Sequence, residues 1–137
     1  MKDRYLFRGK RLDNGELVQG HYRSRTMEPN FDRIRHFISM DYPEIYEIEE
    51  TTLGQSTGLK DKNGRLIFEG DVVNTEIVPD FNKNVKVVLY EGSWCLCVPY
   101  WETNGYDYWL LGRDNTNSKC VVVGNVHDNP ELLMQGA

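Results

Sequence analysis

Turn-forming residues interrupt this chain so often that a long helix has no room to form. Asn14-Gly15, Asn63-Gly64, Glu91-Gly92 and Asn104-Gly105 are tight-turn dipeptides, and Pro79-Asp80-Phe81-Asn82 and Asp114-Asn115-Thr116-Asn117 are longer polar turns. Asn-Gly is the strongest short hairpin signal. Between the turns lie short segments rich in Val, Ile, Tyr and Trp: residues 5–9, 16–22, 33–40, 45–48, 71–78, 85–90, 94–100, 106–111 and 119–124. Runs of this kind at this spacing indicate an all-β sandwich or barrel. The later segments suit a small SH3-like barrel over residues 65–137, and the earlier ones a short-strand N-terminal β subdomain with its connecting turn over residues 1–64. The only helix signal is Asn129-Pro130-Glu131-Leu132-Leu133, an N-cap Asn with Pro at the first helical position, which predicts one short C-terminal helical turn.

A chain of 137 residues makes one domain or two small ones sharing a core, and 39% hydrophobic residues suffice for a globular interior. The longest apolar runs, such as Cys120-Val121-Val122-Val123, fall far short of a membrane span, so no membrane partner is expected. The first eight residues contain no apolar core of a secretory signal. Cys95, Cys97 and Cys120 form no C-x-x-C pair, and reduced thiols in a cytoplasm are the natural reading. The net charge of −5 argues against generic nucleic-acid binding. It is unevenly spread, with nine Lys/Arg against five Asp/Glu in residues 1–36 and seven against sixteen in the remainder. Such asymmetry steers partners or draws one copy to another, although two solvated faces explain it as well.

The most patterned stretch is LGQSTGLKDKNGRLIFEGDVV, Leu53 to Val73. A phosphate-binding P-loop requires G-x-x-x-x-G-K-[ST] and a dinucleotide loop G-x-G-x-x-G, each leading into a helix. Gly54, Gly58 and Gly64 match neither spacing, and a β pattern follows Gly64. Asn63-Gly64 reads as the tip of a tight turn, with Asp61 able to bond back to the backbone. Gly70-Asp71 reads as the bend into a strand. Glu69 and Asp71 are a carboxylate pair without an accompanying nucleophile or metal ligand. Gly58, Gly64, Gly70 and Asp71 are therefore expected to be structural, and the stretch to be linkage.

TTLGQSTGLKDKNGRLIFEGDVV resembles the signature of the YopX-like proteins of bacterial phages and prophages, roughly T-v-G-Q-y-T-G-L-k-D-k-n-G-k-x-I-y-E-G-D-i-v. YLFRGKRLDNGELVQGHY is similar to that family's N-terminal R-G-K-r hairpin, and VVVGNVHDNPELL to its C-terminal G-N-i-y-e-N-P-E-L-l. Ser56 and Phe68 stand where the family often has Tyr. The resemblance covers nearly the whole chain. It implies an all-β, phage-encoded protein in a bacterial cytoplasm, and it brings no catalytic residues to carry over.

Other candidates for chemistry are few. Cys95 and Cys97 point the same way on a strand and could join Cys120 and His127 around zinc, but a Cys-x-Cys pair among Leu and Val is more often core. Neither metal nor cofactor is expected. His21, His36 and His127 read as satisfied structural histidines. Tyr90, Trp94, Tyr100, Trp101, Tyr106, Tyr108 and Trp109 crowd one region, where they fill a core and rim or form a groove for a peptide or bases. Residues 90–112 hold no Lys or Arg to grip a phosphate backbone.

The expectation is a non-enzymatic interaction module with a protein partner, its contact surface formed by Tyr90, Trp101, Tyr106, Tyr108 and Trp109. Self-association is expected, because the segment 93–100 is apolar on both faces. The alternative is a nucleic-acid-binding accessory using Arg4, Arg8, Lys10 and Arg11, with Arg23, Arg25, Arg33 and Arg35 beyond them.

Overall fold

In the computed structural model, which describes residues 5–27, 33–40, 43–77, 84–99 and 105–134, the Asn14-Gly15 signal is realised as a hairpin. Strand β1 (Phe7–Lys10) turns back into β2 (Leu17–Met27), with Lys10 facing Leu17 and Phe7 facing Gly20. The Asn14 side chain accepts the Glu16 N–H at 3.0 Å, and Arg11 N–H donates to Glu16 C=O at 2.9 Å. The chain divides into two compact units, Met1–Ser56 and Thr57–Ala137.

In the first unit β2 pairs along its length with β3 (Arg33–Ser39), and β3 pairs with β4 (Tyr46–Glu47). On its other side β1 pairs with the start of β5 (Gly54–Lys60), Phe7 facing Gln55. Among the described residues of this unit, Ile38 and Ile48 are the buried aliphatic ones. Strand β2 extends past the expected end at Tyr22. Arg23, Ser24, Arg25 and Thr26 are exposed, so no buried face marks them in the sequence, and the β2–β3 ladder holds them through the backbone.

The second unit holds a five-stranded antiparallel sheet in the order β10-β9-β8-β7-β11. Its strands are β7 (Asp71–Thr75), β8 (Asn84–Tyr90), β9 (Ser93–Pro99), β10 (Tyr106–Leu110) and β11 (Cys120–Asn125). Glu91-Gly92 makes the β8–β9 hairpin, Tyr90 facing Ser93. Ile67, Val73, Val85, Val87, Leu96, Val98, Leu111, Cys120 and Val122 form one core on one side of this sheet. Pro130–Met134 is the expected helical turn, in 3-10 form. The protein is all-β. Among the described residues no helix is long and apolar enough to cross a membrane. The expected turn at residues 79–82 lies outside the described residues.

The Leu53–Val73 stretch is more than linkage: it contains β5 and a further strand, β6 (Leu66–Phe68). Gly-Gln-Ser-Thr-Gly has little intrinsic strand preference, and β5 forms because the ladder to β1 recruits its backbone. Between β5 and β6 the turn is tied by Asp61, which is buried. One of its oxygens accepts the N–H groups of Asn63 and Arg65, each at 2.9 Å. The other accepts Val122 N–H of β11 at 2.9 Å. Gly58 and Gly64 adopt φ of 77° and 82°, in the region that favours glycine.

Asp61→Ala leaves these donors unsatisfied and is expected to lower unfolding free energy by about 3 kcal/mol or more, read from urea denaturation. Gly64→Val is expected to cost more than about 1 kcal/mol through backbone strain alone, since a Cβ there meets nothing within 4 Å. Gly64→Asn, which tolerates the left-handed region, is expected to recover most of that loss. Equal thermal midpoints for wild type and the Val variant would contradict this account.

Candidate functional site

Alternation along β10 sends Tyr106, Tyr108 and Leu110 to one side of the sheet and Trp109 to the other. Trp109 packs against the core together with Trp94, whereas Tyr106 and Leu110 are 53% and 41% exposed. Tyr90 reaches across β9 from β8, and its ring stacks on that of Tyr108 with centroids 3.7 Å apart and an interplanar angle of 1°. The expected aromatic set is thus split by the sheet. Tyr90, Tyr106 and Tyr108 share the outer face, Trp109 belongs to the core side, and Trp101 lies outside the described residues.

The stacked pair lies on the same face of the sheet as two cysteines. Cys97 faces Tyr108 on one side and Lys86 on the other, and Cys95 sits in the next row, facing Val88 and Leu110. Both thiols are buried although they lie on the outer face. Beside them a hollow of about 180 Å³ is lined by Lys86, Cys97, Pro99, Tyr106 and Leu133. A second, wider groove of about 550 Å³ runs past Leu59, Trp94, Leu110 and Arg113. Burial pushes the Cys95 and Cys97 thiols up, with Lys86 opposing it at Cys97. The Tyr108 phenol is raised as well, by burial first and then by its neighbours Cys97 and Tyr90.

Cys120 belongs to the core on the other side, where burial raises its thiol too and Sγ lies 3.2 Å from Thr116 C=O. The structure therefore separates Cys120 from Cys95 and Cys97 instead of gathering them. Among the described residues no group of three or more His, Cys, Asp or Glu is placed to hold a metal ion. This face can bind through flat aromatic and aliphatic surface.

The family model described as YopX protein matches residues 6–134. The chain belongs to the YopX family. The solved structure of protein EF1440 from Enterococcus faecalis is similar at 23% identity and a TM-score of 0.41, covering 93% of this chain and 96% of that one. No curated protein matches.

The residues that carry the YopX pattern in this chain are hydrogen-bonding and turn residues. Besides Asp61, the buried Asp71 accepts Phe68 N–H at 2.8 Å, and Gly70 adopts φ of 88°. In the C-terminal segment Asn125 Oδ1 accepts the N–H groups of His127 and Asp128 at 3.0 and 2.9 Å. The YopX chain's basic residues are less available than their number suggests. Arg8 is buried, Lys10 is half-buried, and Arg4 lies outside the described residues. Arg11 pairs with Asp13 and lies 4.0 Å over the Tyr46 ring, and Arg35 pairs with Glu47. Arg23 and Arg25 are exposed on β2. His36, which the sequence leaves as merely structural, stacks on Tyr22 and has Nδ1 2.5 Å from its hydroxyl.

Raised thiols under cover are protonated at neutral pH and react slowly. Cys95, Cys97 and Cys120 are expected to resist a thiol reagent such as Ellman's in the native protein, and all to react in urea. Tyr108→Ala is expected to accelerate Cys95 and Cys97 but not Cys120. Equal acceleration of Cys120, followed by peptide mapping, would show a general loosening rather than a local exposure of Cys95 and Cys97.

Proposed function

We propose that this YopX-family chain is a phage- or prophage-encoded interaction module that acts in the bacterial cytoplasm without catalysis, meeting a protein partner through the outer face of β8–β10. The observation that carries this reading is the stacked Tyr90–Tyr108 pair, flanked by exposed Tyr106 and Leu110. Aromatic side chains held in place before contact supply large area at low entropic cost, as interface anchors do. The alternative use of the basic N-terminal residues gains less support, because Arg8 is buried and Arg11 and Arg35 are already ion-paired. A phosphate backbone is gripped by free cations.

Capture of the tagged chain from phage-infected or prophage-carrying cells tests the proposal when wild type and variants are compared. A protein recovered with wild type is expected to fall about ten-fold or more with Tyr90→Ala/Tyr106→Ala, consistent with loss of hot-spot residues. Arg23→Glu/Arg25→Glu is expected to leave recovery unchanged. Nuclease-sensitive material lost on the arginine change but kept on the tyrosine change would support the nucleic-acid reading instead.

A further inference from the structure

The two ends of the five-stranded sheet are treated differently. At the β11 end, Val122 N–H is taken by Asp61 and Cys120 C=O accepts Lys62 N–H at 2.9 Å, so the segment after β5 closes that edge. At the β10 end, no strand pairs with the outer side of β10 among the described residues.

The ladder phase shows which groups face that open side. Leu111 N–H donates to Trp94 C=O at 2.9 Å, and Leu111 continues the register in which Trp109 faces Leu96 and Asp107 faces Val98. Hydrogen-bonded pairs alternate along an antiparallel ladder. Trp109 and Asp107 therefore bond inward to β9, while the backbone N–H and C=O groups of Tyr106, Tyr108 and Leu110 point outward. Exposed edges are usually protected by lysine, proline or a bulge. Tyr106-Asp107-Tyr108-Trp109-Leu110 has none of these three, its one charge being Asp107 on the core side opposite Val98.

We propose that this edge pairs antiparallel with the β10 edge of a second copy of the chain, about a two-fold axis through Tyr108, joining the two five-stranded sheets. The occupant is argued from the strand's self-complementarity. In that register Tyr108 meets Tyr108 of the copy, Tyr106 meets Leu110, and Asp107 meets Trp109. The outward backbone groups of one copy face those of the other in phase. The strand carries a single charge, Asp107, so no like charges stand opposite one another. Aromatic and aliphatic side chains meet on the outer face, and the contact is isologous and closed. The inference goes beyond the tyrosine-face reading, because it rests on backbone groups that alanine substitutions of the tyrosines leave in place.

Sedimentation equilibrium of the purified chain tests it. Wild-type mass is expected to rise from 16.0 kDa toward twice that value with increasing concentration. A short edge contact predicts a dissociation constant on the order of micromolar or weaker. Tyr106→Pro and Leu110→Pro each remove one outward N–H and are expected to stay at one chain's mass with a nearly unchanged thermal midpoint. Trp109→Pro removes an inward bond and is expected to unfold. Tyr108→Lys sets like charges opposite each other at the two-fold axis and is expected to remain monomeric. A single-chain mass for wild type at all concentrations would overturn the proposal. So would dimers that survive both folded proline variants, and so would unfolding of both, since those N–H groups would then serve within the chain. Dimers dissolved by Tyr90→Ala but not by Leu110→Pro would place the contact on the tyrosine face and reject the edge.

Discussion

The second unit depends on one buried carboxylate. Asp61 Oδ1 bonds two N–H groups of its own turn, and Oδ2 bonds Val122 N–H, 61 positions along the chain. A buried charge is tolerated only when its hydrogen-bonding capacity is used, and charge-assisted bonds to backbone donors are stronger than neutral ones. Local turn geometry and long-range strand placement thus share a single side chain. If the turn deforms, β11 loses its partner, and if β11 shifts, the turn carries an uncompensated buried charge.

The same contact closes one edge of the sheet. With Asp61 and Lys62 occupying the β11 edge, the edge of the sheet left without a strand partner among the described residues is that of β10. Asp71 works alongside, its carboxylate taking Phe68 N–H just before the chain enters β7. The two buried carboxylates of the Leu53–Val73 stretch, Asp61 and Asp71, both accept backbone N–H groups.

Much of this was legible in the sequence, and the omissions have physical causes. The turn dipeptides located the hairpins, since Asn-Gly and Glu-Gly select backbone conformations locally. The bonds from Asp61 to its own turn follow from Asx chemistry, but its bond to Val122 connects residues that only the fold brings together. Strand β5 has no strand signature in Gly-Gln-Ser-Thr-Gly, and its start is held by pairing of Gly54 and Gln55 with β1. The aromatic cluster was recognised as a group, yet its division by the sheet, with Tyr108 outward and Trp109 inward, follows from alternation in a strand whose faces are both partly apolar. The basic residues could be counted in sequence, whereas their pairing with Asp13 and Glu47 could not.

Strand β9 carries apolar residues on both sides, and the hydrophobic core forms on one of them. Leu96 is buried beneath that core. On the other side Cys97 meets Tyr108 and lies beside the hollow lined by Leu133, and Cys95 is buried in the next row. Burial raises the Tyr108 phenol, and its hydroxyl meets the Cys97 thiol, so ring and thiol lie together on that face. Stacking restricts the rotamers of both rings, so a partner meeting them there would have little side-chain freedom left to remove.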